Sequence, residues 1–136
     1  MKICGIELKA NNIILSVIEN KQFQDIKTKK LTLEDDEKQE NIRKFCNEFL
    51  LFLEEENIEK IVIKKRAKKG NFAGGAVTFK LEGLIQLNPL CEVELISAQA
   101  ISSFEKKNEI EYPSSLKKYQ EQAYLCACTY LNNLFQ

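Results

Sequence analysis

The chain has 136 residues, 44% hydrophobic and 29% charged, a composition that fits one globular domain over 1–136 and excludes both a disordered chain and a second sizeable core. Lys plus Arg total 20 and Asp plus Glu total 20, so no net field draws the whole molecule toward a polyanion. No run approaches the roughly 20 apolar residues of a membrane span, and the start, MKICGIELK, has no long apolar stretch of the signal-peptide kind, so no membrane partner and a cytoplasmic location are expected.

Residues 2–9, KICGIELK, predict a strand. Asn11-Asn12 predict a hairpin turn, because Asn tolerates left-handed backbone angles, and IILSVIEN continues as the second strand. A third strand is expected near 23–33, which completes an antiparallel meander. The acidic run 34–40 supplies Asp35 or Asp36 as a helix cap, and Ile42, Phe45, Phe49 and Phe52 or Leu53 recur at helical spacing, so 37–57 is an amphipathic helix. KIVIKKR (60–66) has the β-branched run of a strand covered on both faces. A loop at 67–71, a helix over 73–87 ended by Asn88-Pro89, a strand at 91–96, and a short helix from Ser97 to about Phe104 follow. Residues 106–115 read as a loop, and the last helix runs from about 116 to 134. Three hairpin-connected strands followed by strand–helix crossovers predict an α/β fold: a five-stranded mixed sheet with helices on both faces.

The chain contains no His. That removes the usual general base, the Ser-His and Cys-His pairs and the commonest zinc ligand. The five cysteines, Cys4, Cys46, Cys91, Cys126 and Cys128, are scattered and form no CxxC. Cys126 and Cys128 fall on nearly opposite sides of a helix, so all five read as small buried apolar residues, not as disulfides or a zinc site.

Three acids and one basic run remain as carriers of chemistry. Glu7 shares a face of the first strand with Ile3 and Gly5. A carboxylate in a central strand is costly unless a cation or hydrogen bonds meet it. The plainer reading is a strand-end acid, exposed or paired with a lysine such as Lys64. Glu121 opens the apolar part of the last helix, and Glu82 follows Phe79 and Leu81; most glutamates in such places are surface residues. Lys64, Lys65, Arg66, Lys68 and Lys69 form a dense positive run leading into GNFAGGA. That pattern is no nucleotide fingerprint, but it fits either a phosphate-backbone contact or a solvated strand end.

The order βββαβαβα, an acid in strand one (GIELK) and a last helix with an acid before small residues (EQAYLCA) resemble the ribonuclease H-like superfamily, nearest to the RuvC-type Holliday-junction resolvases. KICGIEL, KKGNFAGGAVTFKLEGLIQL and YQEQA resemble an uncharacterised small bacterial family of that superfamily over nearly the whole chain. The resemblance implies carboxylates from strand one, strand four and the last helix holding two Mg²⁺ or Mn²⁺ ions for phosphodiester cleavage. Carried onto this chain, Glu7 and Glu121 are the metal ligands, with Gln122 taking the helix position if the match shifts by one residue. The strand-four place holds Lys64 or Lys65, and Glu82 replaces it only if its helix points inward. Three readings follow: a metal-dependent nuclease acting through Glu7, Glu121 and Glu82, a catalytically silent nucleic-acid-binding protein of the same fold, and a protein-interaction or homodimer module.

Overall fold

The computed structural model describes residues 1–70 and 74–135. The first two strands, β1 (Lys2–Lys9) and β2 (Asn12–Glu19), pair antiparallel from Lys2↔Glu19 to Lys9↔Asn12. Their turn is Ala10-Asn11, and its left-handed residue is Ala10 (φ 54°), not an asparagine. The asparagine side chains do other work: Asn11 Nδ2 donates to Leu33 O, and Asn12 Oδ1 accepts from Thr32 Oγ1. Both bonds fasten the hairpin end to the chain that returns beside it.

The expected third strand is two short ones, β3 (Gln22–Gln24) and β4 (Lys30–Thr32), both paired with β2. Between them Ile26 turns into the core at 4% exposure, and Leu15 N is bonded by Lys29 O. Burying one isoleucine breaks the strand's pleat, which an alternation pattern does not register. The helix α1 (Gln39–Glu55) starts after Lys38 with no side-chain cap. Neither proposed aspartate caps it: Asp35 Oδ1 accepts from Glu37 N, and Asp36 is bound by Lys80.

The chain then alternates: β5 (Lys60–Lys64), α2 (Ala76–Gln86), β6 (Glu92–Ile96) and α3 (Ala98–Lys107). Part of the expected 67–71 loop and the expected start of α2 at residue 73 lie outside the described residues. A 3₁₀ turn over Lys118–Gln120 leads into α4 (Glu121–Leu134). The sheet order is β3-β2-β1-β5-β6, with β5 parallel to both β1 and β6. The α/β architecture with a mixed sheet is therefore as the sequence predicts, with one more strand.

Alternation divides the core in two. Cys4, Ile6, Leu8, Ile61 and Ile63 face Phe45, Phe49, Leu81 and Ile85 of α1 and α2. Ile3, Ile18 and Val62 face Ile101 of α3 and Leu125, Cys126 and Tyr130 of α4. Apolar residues on both sides of β1 and β5 thus bury the sheet between two helical layers.

Candidate nucleic-acid interface

Parallel strands with covered faces leave ligand space mainly beyond their carboxyl ends. Here that edge carries Glu7 on β1 and Lys64 on β5. The parallel ladder pairs Gly5↔Val62 and Ile6↔Ile63. One step further along the strands, Glu7 and Lys64 stand side by side on the face toward α4. Both are partly buried.

Helix α4 brings the third member. Gly5 permits the approach: a Cβ there would meet the backbone oxygen of Ala123 and lie 3.0 Å from Ala127 N. Gln120 is fully buried, and its Nε2 donates to Leu15 O at 2.8 Å, which fixes the helix start over β2. Cys126 Sγ reaches Val62 O at 3.4 Å. One turn earlier on that same face lies Gln122, whose Oε1 accepts a 2.8 Å hydrogen bond from Lys64 Nζ. Burial pushes the Cys126 thiol up to about 12; Lys64 lowers it and Glu7 raises it, so both charges act on this one point.

The arrangement sorts the sequence candidates. Glu7 and Lys64 come together, and the α4 residue beside them is Gln122. Glu121 shares the other face of α4 with Tyr124 and Cys128, and its charge acts on the Tyr112 hydroxyl. Glu82 belongs to α2, which packs through Leu81 and Ile85 on the opposite side of the sheet from Glu7. The three glutamates therefore do not converge. Among the described residues no group of three or more His, Cys, Asp or Glu is placed to hold a metal ion. Gln120 went unnoticed in the sequence, and nothing in its neighbours' pattern marks it as buried.

This donor set does not fit the metal pair implied by the resemblance. It offers one carboxylate, one ammonium and one amide. At about 4 Å and an effective dielectric near 20, a divalent cation gains roughly 8 kcal/mol from a carboxylate and loses as much to an ammonium. The two cancel, and the cost of stripping water from the ion remains. Glu7 joins none of the ion pairs among the described residues, since Lys64 is turned to Gln122.

The rest of the basic run lies apart from Lys64. Lys65, Arg66, Lys68 and Lys69 line an open groove of about 500 Å³ against Ser97 at the start of α3. Lys65 N donates to Ile96 O at 2.8 Å, which ties the groove's two walls together. Ser97 Oγ accepts from Ala100 N and caps α3. Among the described residues that line the groove none is acidic. Asn71, Phe72 and Ala73 of the glycine-rich segment lie outside the described residues.

A family model described as "Protein of unknown function (DUF3010)" matches residues 1–130. The chain belongs to the DUF3010 family. No curated protein matches this DUF3010 chain in sequence. Its structure is similar to that of T. thermophilus RuvC in complex with Holliday junction substrate, with a TM-score of 0.69 and 14% identity, covering 99% of this chain and 95% of that one. It is also similar to a Thermus thermophilus RuvC structure, with a TM-score of 0.70 and 13% identity over 99% and 96% of the two chains. The DUF3010 chain thus has a RuvC-like, ribonuclease H-like fold. No helix among its described residues is long and apolar enough to cross a membrane.

Proposed function

We propose that this chain binds nucleic acid through the carboxyl edge of its parallel strands and does not cleave it. The observation that carries this reading is the groove where Lys65, Arg66, Lys68 and Lys69 meet the start of α3, with no acid among its described lining residues. Four cations gathered at one groove of a molecule with no net charge supply a local field for phosphates. The RuvC likeness supports nucleic acid as the ligand class, because one similar structure is a complex with a Holliday junction. Branched DNA is accordingly the first ligand to test.

Cleavage is disfavoured by the residues themselves. The resemblance calls for acids on three elements, and this edge presents Glu7, Lys64 and Gln122.

The test is binding of branched and linear DNA across a salt series. Affinity should fall steeply with salt, by about 0.9 log units per log unit for each phosphate engaged. Lys68→Gln and Lys69→Gln should each flatten that slope by about one phosphate contact. Binding that ignores salt, or no binding at low salt, would reject the proposal. Mg²⁺-dependent cleavage abolished by Glu7→Gln would replace it with the nuclease reading.

A further inference from the structure

We propose that Lys64 is a built-in cation that takes a phosphate oxygen directly, so that this edge binds nucleic acid with no divalent ion between. This rests on the nucleic-acid reading above and specifies how its central site works.

The ammonium is placed for that task. Lys64 is the last residue of β5, partly buried, and one register step beyond the Ile6–Ile63 pair, which puts it on the same sheet face as Glu7. One of its three N–H groups is committed to Gln122 Oε1 at 2.8 Å. The bond orients Nζ and leaves two donors. With its oxygen engaged, the Gln122 amide keeps two N–H donors on Nε2. Ammonium and amide donors side by side match the oxygens of a phosphodiester, and a charged donor makes the stronger bonds. Glu7 shares that face of the sheet without joining an ion pair among the described residues, and its negative charge repels an incoming phosphate. It therefore holds affinity down, the reverse of what a metal-ligating acid would do.

Two measurements test this. In the first, branched-DNA affinity is read by fluorescence anisotropy with excess EDTA and with millimolar Mg²⁺ at matched ionic strength. Wild-type affinity should be no higher in Mg²⁺ than in EDTA, because the ion only competes for the phosphates. Lys64→Met should weaken binding about tenfold, the loss expected for one charge-assisted bond. Glu7→Gln should tighten it in both buffers. In the second, Mn²⁺ binding is followed by electron paramagnetic resonance. The wild type should bind no Mn²⁺ at submillimolar concentration, and the Lys64→Glu, Gln122→Glu double variant should gain that binding. Submillimolar Mn²⁺ binding by the wild type that Glu7→Gln abolishes would overturn the proposal. So would a Glu7→Gln variant that binds DNA more weakly in Mg²⁺ alone. If no variant binds DNA, the nucleic-acid reading and the direct phosphate contact fail together, while the Mn²⁺ titration still decides whether Lys64 excludes metal.

Discussion

Gly5 has the smallest side chain at the place where the two layers come closest. A Cβ there would press on the carbonyl of Ala123 and stand 3.0 Å from Ala127 N. Both are helix backbone, which cannot swing aside as a side-chain tip can. Gly5→Ala should therefore cost at least the 1–3 kcal/mol typical of roughly one overpacked methyl group. A shift of the urea-unfolding midpoint to lower concentration is the expected readout. An unchanged midpoint would mean that α4 docks more loosely than described. The same displacement would carry Gln122 away from Lys64, so the glycine also sets the site.

At the scale of an element, the start of α4 governs the candidate site. Helical periodicity extends the last helix back to about 116, but the regular helix begins at Glu121 after a 3₁₀ turn. Gln120 decides the boundary. Its Nε2 donates to Leu15 O at 2.8 Å, and its Oε1 accepts from Lys117 N at 3.0 Å. The side chain is wholly buried, so Gln120→Ala leaves the buried Leu15 O without this hydrogen bond, while the exposed Lys117 N can turn to water. A loss of about 1–3 kcal/mol follows from the cost of such an unmet group. Hydrogen exchange should show faster opening of the first turn of α4 than of β1 in that variant. Uniform acceleration across both would show that Gln120 supports the fold globally and does not set the helix start alone.

For the whole molecule, alkaline pH is the sensitive variable. Cys4 lies in the core facing α1 and α2, and Cys126 in the core facing α4, both fully buried. Burial raises both thiols above their ordinary value of 9.0, Cys126 to about 12. Above pH 9 the unfolded chain releases these protons while the folded chain keeps them. The folded state then binds more protons, and stability falls as pH rises. The limiting slope is about 1.4 kcal/mol per pH unit for each thiol. The stabilisation is fully present below the unfolded value of 9.0 and is lost between there and the raised folded values. Denaturant titrations at neutral and alkaline pH should show this decline, and a Cys4→Ala, Cys126→Ala double variant should lessen it. An equal decline in the double variant would assign the effect to other groups.

The sequence alone determined the class of fold and the residues worth inspecting. β-Branched runs and helical spacing are local signals, and each element answers to its own side chains, so the α/β order and the two-faced burial of the first strand were legible. Glu7 and the 64–69 basic run were also visible, because unusual charge on an apolar or glycine-rich background stands out without coordinates. Only the tertiary structure decided which charges meet. Glu121 and Gln122 are adjacent in sequence yet diverge by about 100° on the helix, and the docking angle fixed by Gly5 and Gln120 selects Gln122 for the face toward Lys64. Glu82 lies on the far side because the strand-to-helix connection after β5 returns α2 to the α1 face. Long-range packing sets these angles, and no local pattern encodes them.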